Sequence, residues 1–87
     1  MAKTNTKKSV FKKSLPLSKI ARMIENDWIN INPSAKEYLD AMFSLNSVND
    51  KYLLDSGRTI IIYFLSNAGS WSGPVAKVVK EHLKSLL

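Results

Sequence analysis

Leu17, Ile20, Ile24 and Trp28 fall at i, i+3, i+7 and i+11, with Ala21 and Met23 beside them. That spacing lays one apolar stripe along a helix over Lys19 to Asp27, with Ser18 placed to cap it and Lys19, Arg22, Glu25 and Asn26 on the wet side. From Trp28 to Asn32 the pattern switches to alternation over five residues, a strand-like period that Asn32-Pro33 ends, because a residue before proline is pushed out of the α region. Ser34 and Glu37 then stand at capping-box spacing before a second helix. Its inward set is Ala35, Tyr38, Leu39, Met42 and Leu45, with Phe43 flanking and Asn46 suited to its end. Between Ser47 and Leu54 the pattern weakens, and the Ser47/Asp50 spacing fits either a single helical turn or a loop.

The most apolar stretch, DSGRTIIIYFLSNAGSW over residues 55–71, reads two ways. Its β-branched and aromatic residues suit a strand, but the chain offers such a strand only poor partners. As a helix it has Asp55 or Ser56 as cap, about three turns from Arg58 to Ala68, and Gly69 where a left-handed residue ends a helix. A helix apolar on nearly every side belongs at the centre of a domain. The last helix is capped by Ser72 or Gly73, takes Pro74 in its first turn, and aligns Val75, Val78, Val79, His82, Leu83 and Leu86 in one seam. The expected fold is therefore all-α: a compact bundle of about four short helices around a central apolar helix, over residues 15–87. The alternative is an α+β fold with a small sheet using 28–32 and 59–65.

Charge changes this picture at one place. Residues 1–17 carry Lys3, Lys7, Lys8, Lys12 and Lys13 with no acid, whereas residues 18–87 carry eight basic and seven acidic side chains, so +5 of the net +6 lies in a basic arm. Residues 1–14 are expected to be disordered, since isolated Val10 and Phe11 bury too little surface to offset backbone entropy. Eighty-seven residues suffice for one domain and one core. The absence of cysteine excludes disulfides and thiolate metal sites. No apolar h-region follows the lysines, and the run Ile60 to Leu65 is far short of the roughly 20 residues of a membrane helix, so a cytoplasmic protein with no membrane partner is expected.

The set Asp27-Trp28, Tyr38-Leu39-Asp40-Ala41-Met42, Asp55-Ser56-Gly57-Arg58, Tyr63 to Ala68, then Trp71, Gly73, Ala76, Lys77 and Lys80 resembles uncharacterised small helical proteins of bacterial plasmids, phages and other mobile elements. The resemblance spans about residues 18–86 and leaves out the basic arm. It implies a setting and carries no activity.

Little here suggests catalysis. Gly69-Ser70-Trp71-Ser72-Gly73 has tryptophan where a nucleophile elbow needs serine. Asp55-Ser56 reads as a helix cap rather than as part of a triad with His82. One histidine without cysteines makes no metal site, His82 on an apolar seam reads as a core residue, and the three glycines lack phosphate-loop spacing. No cofactor is expected. The leading expectation is a non-enzymatic accessory protein that binds nucleic acid largely non-specifically through Lys3, Lys7, Lys8, Lys12 and Lys13, extended by Lys77, Lys80 and Lys84 along the last helix. The alternative is a protein-binding module or host-directed inhibitor, anti-CRISPR-like, acting through its folded surface, with Trp71 as the interface residue. Oligomeric state is left open.

Overall fold

The apolar stripe beginning at Leu17 forms α1, Leu17–Asp27, in the computed structural model, which describes residues 11–87. α1 buries Leu17, Ile20, Ala21 and Ile24. Ser18 is not its cap: Pro16 holds that position without a side-chain bond. The N–H groups of Leu17 and Ser18 donate instead to the carbonyls of Asn46 and Leu45, at 3.0 and 2.9 Å. Backbone from another part of the fold thus supplies what a capping hydroxyl supplies elsewhere.

Trp28 to Asn32 is a turn rather than a strand, with Trp28 buried and Ile29 84% exposed. α2 runs over Pro33–Met42 and takes Asn32 as its cap. Proline, lacking an N–H, fits the first helical position, which moves the cap two residues before the expected Ser34. Asn32 Oδ1 accepts from the Ala35 N–H at 2.8 Å, and its Nδ2 donates to the Asn67 carbonyl at 2.9 Å. α2 buries Ala35, Leu39, Ala41 and Met42. Tyr38 is only half-buried, and Ala41 was not in the expected set.

After α2 the chain is organised by Asp50. Its Oδ2 accepts the N–H groups of Asn46 and Ser47 at 2.8 and 3.2 Å, and these bonds, Asn46 first, hold the carboxyl below its ordinary value of 3.8. Neither the single helical turn nor an unpaired loop follows. β1, Lys51–Tyr52, pairs antiparallel with β2, Asp55–Ser56, in the register Lys51↔Ser56 and Tyr52↔Asp55. Leu53 and Leu54 form the two-residue tip.

The stretch that suited either helix or strand is helical: α3 spans Gly57–Ser66, and Ser56 Oγ accepts from the Thr59 N–H at 3.2 Å. No sheet uses 28–32 or 59–65. Two details differ from expectation. α3 buries Gly57, Ile60, Ile61 and Phe64 but leaves Ile62 43% and Tyr63 48% exposed, so it is not enclosed. It packs chiefly on α2, and α1 is the helix that packs against both α2 and α4. A run apolar on every side has no preferred face of its own, so its neighbours decide which face is covered. Nor does Gly69 end α3 in a left-handed conformation, since Leu53 and Gly73 are the described residues at positive φ. Side chains satisfy the last-turn carbonyls: Ser66 Oγ donates to Ile62 at 2.9 Å and Asn67 Nδ2 to Tyr63 at 2.8 Å.

α4, Pro74–Ser85, has Gly73 as its cap at φ 106, a value that disfavours other residues. It buries Ala76, Val79, His82 and Leu83, while Val75 is 38% exposed and Val78 and Leu86 are half-buried. Hydrogen bonds join the start of α1 to the end of α2, the start of α3 to the same linker, and Arg58 of α3 to the end of α4. These four helix ends therefore meet at one end of the bundle. Among the described residues no helix is long and apolar enough to cross a membrane.

Gly57 sits where this end is tightest. A Cβ there would lie 2.7 Å from the Ser47 carbonyl oxygen and 3.0 Å from Val48 Cα, both backbone atoms, whereas at Gly69 it would meet nothing within 4 Å. Gly57→Ala is expected to destabilise the fold by about 1–3 kcal/mol, and Gly69→Ala to be near neutral, in chemical denaturation.

Candidate nucleic-acid interface

The basic segment joins the fold through Phe11. Lys3, Lys7 and Lys8 lie outside the described residues, as does the expected disorder of residues 1–10. Within the described part of the expected arm, Phe11 packs on the core while Lys12, Lys13 and Ser14 are exposed. Phe11 is half-buried and meets His82 edge-on, with ring centroids 5.2 Å apart and an interplanar angle of 86°. With Met23, Pro74, Val75, Val78 and Val79 it lines an open apolar groove of about 280 Å³ between α1 and α4. A lone phenylalanine finds cover there because Val75 and Val78 are left over from the core-facing seam.

Lys12 and Lys13 are exposed, and Lys13 Nζ reaches the Ser85 carbonyl at 3.4 Å. Cations gather at this helix end because unpaired carbonyls and the helix dipole make it negative. Arg58 does the same from α3, with Nη1 donating to the carbonyls of Leu86 and Leu87 at 3.2 and 2.9 Å. Sequence reasoning placed Arg58 only as a helix start, and no spacing signals a contact 28 residues away.

The α4 lysines do not act alike. Lys77 and Lys84 are exposed, but Lys80 is half-buried, with Nζ donating to the Trp71 carbonyl at 2.6 Å and lying 5.9 Å from the Trp71 ring. Burial first, and Lys84 second, lower its pKa from the ordinary 10.5. Lys80 thus holds the α3–α4 connection. Nor do these lysines share the Phe11 side of the helix. At about 100° per residue, the line from Lys77 to Lys84 lies roughly a third of a turn from Val78 and nearly half a turn from Val75, with Glu81 and Ser85 between. Lys13 meets the lysine edge only at its last turn, next to Lys84, through the Ser85 carbonyl.

Trp71, expected as an interface residue, is 2% exposed. Its ring stacks on Trp28 at 5.6 Å and 8°, both rings stand edge-on to Phe64, and Nε1 donates to Asp27 Oδ2 at 2.9 Å. It sits in a turn, yet that turn folds back over α1, which places the indole in the core. His82 is fully buried, and burial first, then the Lys13 charge, lower its pKa from 6.5. Among the described residues no group of three or more His, Cys, Asp or Glu side chains converges in a way that could hold a metal ion.

Trp71→Ala is expected to lower stability by about 3–5 kcal/mol in denaturant titration, as removal of a buried indole does. His82 gives a pH signature. Its folded pKa is depressed, so the unfolded chain binds the proton more readily; stability is full above pH 6.5 and declines as pH falls below it. His82→Leu is expected to flatten that decline between about pH 6.5 and 5, whereas the Asp50 contribution is lost only below pH 3.8. The chain matches no family model, no curated protein and no solved structure.

Proposed function

We propose that the chain is a non-enzymatic accessory protein of a mobile element that binds nucleic acid largely without sequence preference through its basic N-terminal segment. The supporting observation is the concentration of charge: Lys3, Lys7, Lys8, Lys12 and Lys13 lie in a run with no acid. Phe11 ties this run to the bundle at His82, and Lys13 reaches the Ser85 carbonyl at the last turn of α4. Lysines that neutralise phosphates release counterions, which makes affinity strongly salt-dependent and insensitive to base sequence. The mobile-element setting rests on the resemblance of residues 18–86 alone. Within the interface, Lys77 and Lys84 extend the basic surface, and Lys80 is occupied by Trp71.

A second reading, a protein-binding module or host-directed inhibitor, draws on the apolar side chains of the α2–α3 face. Ile62 and Tyr63 are exposed there, and the Tyr63 ring lies 5.5 Å from that of Tyr38. Trp71 does not belong to that face.

Binding of a short DNA duplex at two salt concentrations tests the leading reading. The truncation removes residues 1–10 and not 1–17, because Phe11, Leu15 and Leu17 pack on the core. Truncation combined with Lys12→Gln and Lys13→Gln is expected to reduce the slope of log affinity against log salt by up to about 0.9 per lysine removed, with the fold intact. Affinity unchanged in this variant would sink the reading.

A further inference from the structure

The hairpin tip breaks the ordinary rule for such turns. Two-residue hairpin loops favour Gly, Asn or Asp, because one or both positions need positive φ. Here the positions are Leu53, at φ 57, and Leu54. They are 82% and 97% exposed, so neither leucine gains burial in return for the strained backbone. A strained, water-exposed pair of large apolar side chains points to a contact outside the chain.

The surroundings of the tip indicate what it contacts. Arg58, two residues after β2, is hydrogen-bonded to Leu86 and Leu87, and Lys13 to Ser85, so the hairpin, the base of the basic segment and the last turn of α4 share one end of the bundle. Exposed Lys12, Lys13, Lys51 and Lys84 lie at that end, with Lys3, Lys7 and Lys8 just upstream in sequence. The acids on the elements that meet there are Asp50, whose carboxylate is taken by backbone N–H groups, Asp55, Glu81 one turn before Lys84, and Asp40, which pairs with Lys36. Leu87 is 47% exposed at the same end. Apolar side chains projecting from a surface with an excess of cations are complementary to a surface that is anionic outside and apolar just beneath. A nucleic-acid duplex has the first property and lacks the second.

We propose that the Leu53–Leu54 tip is a peripheral anchor for anionic lipid bilayers, inserting its two leucines below the headgroups while the lysines of the same end lie against them. The contact needs no spanning helix. It combines the two weak signals, apolar insertion and polybasic attraction, that together give stable attachment. The same excess of positive charge opposes pairing of this end with a second copy of the chain.

The test is flotation of the full chain with phosphatidylcholine vesicles, with and without phosphatidylglycerol, beside the duplex titration on the same proteins. The variant is Leu53→Asn with Leu54→Ser; asparagine tolerates positive φ, so melting temperature is expected to hold or rise. The parent is expected to float with the anionic vesicles and much less with the neutral ones. The variant is expected to lose about tenfold or more of that partitioning, with duplex binding unchanged. A variant that floats as well as the parent, or a parent that ignores anionic vesicles at low salt, overturns the anchor. Either result with duplex binding by the parent leaves the nucleic-acid reading standing, and a parent that floats with anionic vesicles but does not bind the duplex removes that reading alone.

Discussion

The N–H groups at the start of a buried helix have to find acceptors, and in this fold four of them find the same short linker. The carbonyls of Leu45, Asn46, Val48 and Asp50 accept from Ser18, Leu17, Arg58 and Gly57, so one stretch between α2 and α3 terminates both α1 and α3. This requires the linker backbone to lie against α3, closer than a side chain at Gly57 would allow. The hairpin is then fixed in direction, since it leaves the linker at Asp50 and returns to Gly57, whose N–H bonds to the Asp50 carbonyl at 2.6 Å. Arg58, the next residue, carries the connection on to the end of α4.

The opposite end is held by aromatic rings. Trp28 and Trp71 leave their helices in turns but stack face to face, with Phe64 of α3 edge-on to both. Asp27 and Lys80 serve this cluster, the first accepting from the indole N–H and the second binding the Trp71 carbonyl. Much of the polar chemistry in the chain is spent in this way. Asn32, Asp50, Ser56 and Asn67, residue types that line reactive sites in other folds, each satisfy a helix end or a turn here.

What remains for contact with other molecules is unevenly distributed. The end built on the linker carries Lys12, Lys13, Lys51, Lys84 and the two tip leucines, and Lys3, Lys7 and Lys8 precede them in sequence. Positive charge and exposed apolar side chains are thus concentrated in one region, and both proposals draw on it. The lysines carry the first and the leucines the second. Phe11 matters to either, because it fixes the base of the basic run on the α1–α4 groove.

The sequence alone determined the helices whose apolar residues keep to one stripe. α1 and α4 follow directly from Leu17, Ile20 and Ile24, and from Val79, His82 and Leu83, and Pro74 with Gly73 marks the start of α4. It also determined the concentration of charge at one end of the chain, which no folding alters. Tertiary structure decided the rest. The run from Ile60 to Leu65 has no polar face to orient it, so only packing on α2 could select which side is buried and leave Ile62 and Tyr63 outside. Trp71 was placed by a turn folding back onto α1, and the caps of α1 were supplied by carbonyls nearly thirty residues away. Periodicity reports only what a residue shares with its own helix; burial of a turn and satisfaction of a helix end depend on what approaches from elsewhere.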